Sequence, residues 1–164
     1  MVFGNKTYFI VDALDTDRVN LVNGKHQEWE LRVAYDNKYV YGDFNHDGLK
    51  DAAVIIVENT GGNQDWYTLA FLINDGKGLT HKATIFLDDR AVINYLHVKN
   101  SKVFIDMYVH QEGDCMAGPT KRVRELYSYP GPNIFAEREE NGTIAEIDPH
   151  ELNSKAWNKI NPGA

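Results

Sequence analysis

The sequence is short of cysteine, of basic charge and of long apolar runs, and each shortage excludes something. A single cysteine, Cys115, cannot form an intrachain disulfide, nor a thiolate zinc cluster, which needs several sulfur ligands. It does not reveal the compartment: a lone thiol suits the cytosol and equally a bacterial periplasm. Lys and Arg number 17 against 24 Asp and Glu, a formal net charge of −7, so no basic excess is available for nucleic-acid binding. No apolar run approaches the ~18 residues of a transmembrane helix. Met1 to Ile10 does not read as a signal peptide, so export would require a leader ahead of this sequence.

What remains is 43% apolar and 25% charged residues, the balance of an ordinary globular chain. A length of 164 residues suits one domain with a sizeable core. We expect a single β-rich domain over 1–164, with a C-terminal extension from about 130 packing on it. Repeats, low-complexity tracts and linkers are absent from the sequence.

The chain reads mostly as strands. Ala52 to Glu58, Asp65 to Ile73, Leu79 to Leu87, Ala91 to Val98, Lys102 to His110 and Arg122 to Tyr129 are β-branched or aromatic runs separated by turn residues. Short connections cannot cross over to make parallel pairs, so an antiparallel meander, as one sheet or a sandwich, is expected. In Lys102 to His110, Val103, Ile105, Met107 and Val109 share one face, while Phe104, Asp106, Tyr108 and His110 share the other. Ala52 to Val57 and Tyr67 to Ile73 are apolar on both faces and so should be central strands covered on both sides. In the N-terminal part, Tyr8 to Val11, Val19 to Val22 and Gln27 to Tyr35 look like strands, the last two joined by an Asn23-Gly24 hairpin turn. Asn141-Gly142 suggests a hairpin within Phe135 to Ile147.

The second cover for the central strands is expected from the C-terminus. Asp148-Pro149-His150-Glu151 resembles an N-cap, a first-turn proline and an acidic residue three after the cap. Leu152, Ala156 and Ile160 recur every fourth residue until Asn161-Pro162-Gly163, which predicts a short helix of about three turns.

The segment that carries chemistry is Asp43-Phe44-Asn45-His46-Asp47-Gly48-Leu49-Lys50-Asp51. Side-chain oxygens fall at loop positions 1, 3, 5 and 9 (Asp43, Asn45, Asp47 and Asp51), with Gly48 at position 6 and the Leu49 carbonyl as a backbone donor. Ca²⁺ is a hard cation that takes six to eight oxygens at about 2.3–2.6 Å, and a loop with an oxygen on alternate residues can wrap it. Three carboxylates this close repel one another unless a cation lies between them. Position 12 is Val54, where a helical EF-hand carries a bidentate Glu, and strand-like sequence follows Asp51. The pattern therefore predicts a calcium loop set between β-strands. A competing reading is an acidic hairpin turn, since Asp-Gly alone is a common turn pair.

Asp43 to Asp51 resembles the calcium loop of FG-GAP and integrin β-propeller repeats. More broadly, blocks across residues 8–128 resemble a family of bacterial exported proteins, many of them lipoproteins. The matching blocks are Val19 to Gly24, Gly42 to Val54, Glu58 to Gly62, Phe86 to Arg90, Val103 to Met107 and Cys115 to Thr120. The resemblance implies an extracytoplasmic, periplasmic or cell-surface β-rich module without an established catalytic activity. The chain departs from a Met-Cys-Cys-Pro-Thr type of segment, since Ala117-Gly118 precede Pro119 here.

Other constellations are weaker. His110, Glu112, Asp114 and Cys115 lie close in sequence and could hold a nucleophile and base, but a polar loop with an incidental thiol explains them as well. Asp88-Asp89-Arg90 reads as a turn in which Arg90 pairs with an acid. Asp106 interrupts an apolar strand and should hydrogen-bond a neighbouring loop or face solvent. Trp29, Tyr39, Tyr41, Trp66 and Tyr67 crowd around the loop and the Gly61-Gly62 turn; they suit core packing, or stacking on a protein or carbohydrate ligand. The expectation is therefore a calcium-binding, non-catalytic module, with a metal-assisted hydrolase and a carbohydrate-binding module as alternatives.

Overall fold

The computed structural model describes residues 2–10, 18–116, 118–129, 135–140, 143–146 and 159–160. A 3₁₀ turn, Phe3–Asn5, precedes thirteen strands: β1 (Thr7–Phe9), β2 (Arg18–Asn20), β3 (Lys25–Glu28), β4 (Leu31–Gly42), β5 (Asp51–Asn59), β6 (Trp66–Asn74), β7 (Leu79–Asp89), β8 (Val92–Lys99), β9 (Lys102–Val109), β10 (Lys121–Ser128), β11 (Phe135–Glu140), β12 (Thr143–Glu146) and β13 (Lys159–Ile160). Every pairing among them is antiparallel. The chain is thus mainly β, as its sequence pattern predicts.

The meander does not stay in one sheet. Strands β3 to β7 lie in a six-stranded sheet of order β13-β7-β6-β5-β4-β3, and β8 to β12 form a five-stranded sheet in sequence order. The chain changes sheet at Arg90, which has φ +49°. Arg90 is pinned there by its own N–H donating to the Asp65 carbonyl and by a two-pronged ion pair with Asp89 at 2.6 and 3.1 Å. Arg90 and Asp89 therefore form the structural turn their sequence suggests.

The two sheets face each other across one apolar layer. Ala53, Ile55, Leu69, Phe71, Ala83, Ile85 and Leu87 of the larger sheet meet Ile93, Val103, Ile105, Met107, Val123 and Tyr127 of the smaller. The alternate residues of β5 and β6, Ala52, Val54, Ile56, Ala70 and Leu72, are buried on the opposite side. Side chains alternate between faces along a strand, so two apolar faces need two covers. The second cover comes from the N-terminus: Phe3, Tyr8, Ile10, Val19 and Leu21 complete that cluster. Burying each such aliphatic or aromatic side chain contributes roughly 1.5–3 kcal/mol relative to exposure.

Three expectations need correction or restriction. The predicted C-terminal helix lies outside the described residues except at its end, where Lys159–Ile160 are extended and pair with Thr84 and Ala83 at the β7 edge. An unpaired edge leaves backbone N–H and C=O groups to be satisfied, and pairing of this kind satisfies them where helix periodicity cannot. The strand expected over Gln27 to Tyr35 is two strands, because Trp29 takes φ +54° and turns β3 back onto β4. The Asn23-Gly24 turn forms, with both residues at positive φ and Val22 and Lys25 exchanging backbone hydrogen bonds, but the expected hairpin goes no further: β2 pairs with β1 and β3 with β4. The hairpin predicted at Asn141-Gly142 appears as the β11–β12 pair.

Candidate metal centre

Asp43 to Lys50 connect β4 to β5, and Asp51 is the first residue of β5. The loop therefore sits between two strands, without the flanking helices of an EF-hand. Gly42, the last residue of β4, has no room for a side chain: a Cβ there would lie 2.9 Å from the Phe44 ring. Phe44 is buried and meets Phe71 edge-on at 5.4 Å, which fastens the loop to the core between the sheets. His46 and Gly48 take φ +60° and +85°. Two residues in the left-handed region coil the chain back on itself, and glycine carries that conformation without steric cost.

The coil turns backbone N–H groups and side-chain oxygens toward one another. Asp43 accepts from the N–H of Asp47 at 3.1 Å and of Gly48 at 2.9 Å. Asp47 accepts from the N–H of Leu49 at 2.9 Å and from the Asn45 amide at 3.1 Å. Asp51 is fully buried; its oxygens accept from the N–H of Phe44 and of Asn74, each at 2.8 Å. Asn74 also donates from its side chain to the Lys50 carbonyl at 3.1 Å, so the end of β6 supports the loop from below. Lys50 lies over the Tyr41 ring at 5.2 Å.

Asp43, Asn45 and Asp47 are thus brought together, and Asp51 is tied to the loop through Phe44. Among the described residues no three His, Cys, Asp or Glu side chains stand as a metal-holding group, the three loop acids included. Asp51 explains part of this, because its carboxylate is engaged with backbone N–H groups beneath the loop. A carboxylate oxygen has two acceptor sites, so one hydrogen bond on each leaves capacity on both. The other expected donors, Asn45 and the Leu49 carbonyl, are not acids. The Asn45 carbonyl oxygen is buried and has no hydrogen-bond partner. Buried acceptors without partners are rare, and a vacant oxygen lone pair is what a hard cation would use. By that test the donor set fits calcium.

The remaining candidates resolve differently. His110 faces Asp88 through Nδ1 at 2.9 Å and the carbonyls of Met116 and Cys115 through Nε2 at 2.8 and 3.1 Å. Both ring nitrogens meet acceptors, an arrangement that the imidazolium form alone satisfies. Burial opposes that charge, but the hydrogen bonds that the ring donates to Asp88, Met116 and Cys115 outweigh it and raise the pKa. The imidazole is therefore bonded to carbonyl oxygens rather than offered to a thiol as a base, and Cys115 is exposed. Asp114 organises the same loop, accepting from the N–H groups of Gln111 and Thr120 at 3.0 and 2.9 Å.

Asp106 neither faces solvent nor reaches a loop. It is fully buried on the outer face of the smaller sheet and accepts from Asn94, Arg122 and Arg124 on the strands beside it. Arg122 heads the causes that hold its carboxyl well below the usual carboxylate range, against the effect of burial. The aromatics near the loop separate as well. Trp29 is 94% exposed, and Tyr39 and Tyr41 are 50% and 43% exposed with their rings crossed at 72°. Trp66 is half-buried against Phe86.

The orphaned Asn45 oxygen has no signature in the sequence, because it depends on how the coiled loop places each side chain. No family model matches this chain, and neither curated proteins nor solved structures offer a match. No helix among the described residues is long and apolar enough to cross a membrane.

Proposed function

We propose that this protein is a calcium-binding, non-catalytic β-rich module, extracytoplasmic in a bacterium, that presents a protein- or ligand-binding surface. The observation that carries the calcium reading is the buried, unpartnered Asn45 oxygen, on a side chain whose amide donates to Asp47. Asp43, Asn45, Asp47, the Leu49 carbonyl and Asp51 are the proposed donors. The metal's role is structural: it neutralises carboxylates in a connection whose flanks, Phe44 and Asp51, are buried in the core. The exported location rests on the resemblance of the sequence blocks alone.

Two alternatives fit less well. A metal-assisted hydrolase needs an open coordination position in a pocket and a free base. Here His110 has both nitrogens engaged. A carbohydrate-binding module would use the exposed Tyr39, Tyr41 and Trp29, but crossed rings do not make a flat stacking platform. The test is calorimetric titration of metal-stripped protein with Ca²⁺ and with Mg²⁺. Saturable binding of Ca²⁺ in preference to Mg²⁺ is expected, because Mg²⁺ demands near-ideal octahedral geometry and dehydrates reluctantly. Absence of any calcium heat at millimolar ion would overturn the reading.

A further inference from the structure

The smaller sheet carries charged residues where a sandwich should be apolar. In β10, Val123 and Tyr127 point into the core, and strand alternation places Glu125 and Lys121 on the same side. Glu125 is buried, and Arg138 of β11, directly opposite it in register, donates to its Oε1 at 2.9 and 3.1 Å. The Tyr127 hydroxyl donates to the other oxygen, and burial, reinforced by Glu125, pushes the Tyr127 pKa well up. Charged side chains are almost never buried without a reason in pairing or in function.

Lys121, Val123, Glu125 and Arg138 line a cavity of about 180 Å³. Its apolar wall is Phe86, Leu87, Met107, Val109 and Val123. Its charged wall is Asp88, His110, Lys121, Glu125 and Arg138. The acids are committed: Asp88 to His110 and Glu125 to Arg138. The Lys121 side chain makes no hydrogen bond or ion pair with any described residue, nor is Lys121 among those with a further interaction. With His110 in the imidazolium form that its two acceptors require, the wall holds one more cation than anion.

We propose that this cavity is a binding site for a small organic monoanion, a carboxylate on a compact apolar body, with Lys121 as its counter-ion. The apolar wall takes the body and Lys121 takes the carboxylate. Size agrees, since an apolar cavity of about 150 Å³ accommodates a benzene-sized molecule. Small-molecule sites are typically apolar clefts with a few placed polar groups; this cavity is more polar than that, with an apolar wall on one side and charged groups on the other. None of its lining residues belongs to the Asp43–Asp51 loop, so the inference stands or falls apart from the calcium reading.

The experiment uses benzoate, its neutral isostere benzamide and the cation benzylammonium as probes. Each is titrated into the full chain while methyl resonances of Leu87, Met107, Val109 and Val123 are followed by NMR. Saturable shifts with benzoate in the millimolar range are expected, in line with the efficiency of ligands this small. Lys121→Met should weaken benzoate by about tenfold or more, the worth of one charge-assisted contact, and should leave benzamide unchanged. Binding of benzamide or benzylammonium as tight as benzoate would overturn the proposal, as would no saturable shift with benzoate. The comparison of the three probes needs only the unaltered protein, so a poorly folding variant would not remove the test.

Discussion

Replacing Asp106 by asparagine should destabilise the protein at neutral pH and far less in acid. Asp106 accepts four hydrogen bonds: from Asn94 at 2.7 Å and Arg122 at 3.1 Å on Oδ1, and from Arg122 at 2.8 Å and Arg124 at 3.1 Å on Oδ2. Asparagine keeps one acceptor oxygen and sets an NH₂ group against donors, so two of the four bonds are lost. Bonds to charged groups contribute ~1.5–3 kcal/mol each, which puts the unscreened cost at about 3–6 kcal/mol. The guanidinium groups are 48% and 43% exposed and regain water, so part of that cost is returned. We expect about 2–3 kcal/mol, or a fall in Tm of roughly 4–12 °C for a domain of this size. The sign of the pH dependence follows from the depressed carboxyl pKa. Its contribution is complete above the unfolded carboxyl value of about 3.9 and is lost as pH falls toward the folded one. Urea denaturation of both proteins at neutral pH and near pH 3 measures this. Equal midpoints at neutral pH, or a gap that does not narrow in acid, would refute the reasoning.

Other outcomes follow from the same contacts. Calcium at a hundredfold excess over Kd should stabilise the native state by ~2.7 kcal/mol, and Asp47→Ala should abolish most of that gain in a thermal melt with and without chelator. Cys115→Ser should leave stability and binding almost unchanged, and iodoacetamide should label Cys115 slowly at pH 6, because His110 is bonded to carbonyls rather than to the thiol. His110→Gln should cost most below the ordinary imidazole value near 6.5, since the raised pKa in the fold makes this contribution complete there and lost as pH climbs through the folded value. Denaturation midpoints of the two proteins across pH 5 to 9 should therefore converge at the alkaline end.

The strands, their antiparallel order and the acidic loop could all be read from local pattern. β-branched runs such as Ala52 to Val57 declare a strand apolar on both faces, and Asn23-Gly24 declares its own turn, because period and backbone φ are properties of a few adjacent residues. The Asp43 to Asp51 spacing belongs to this class. Tertiary structure decided what lay opposite each face. That Phe3, Tyr8 and Leu21 cover the second side of the central sheet depended on packing between segments far apart in sequence. The break of the meander at Arg90 came from a bond to Asp65, which no window around residue 90 contains. Asp106 looked like a lone acid in one strand and proved to be the shared partner of Asn94, Arg122 and Arg124, because cross-strand register brings together side chains that sequence keeps 12, 16 and 18 residues apart. The inward-facing Glu125 and Arg138, and the cavity they line, exist only once β10 pairs with β11 and the two sheets close on each other.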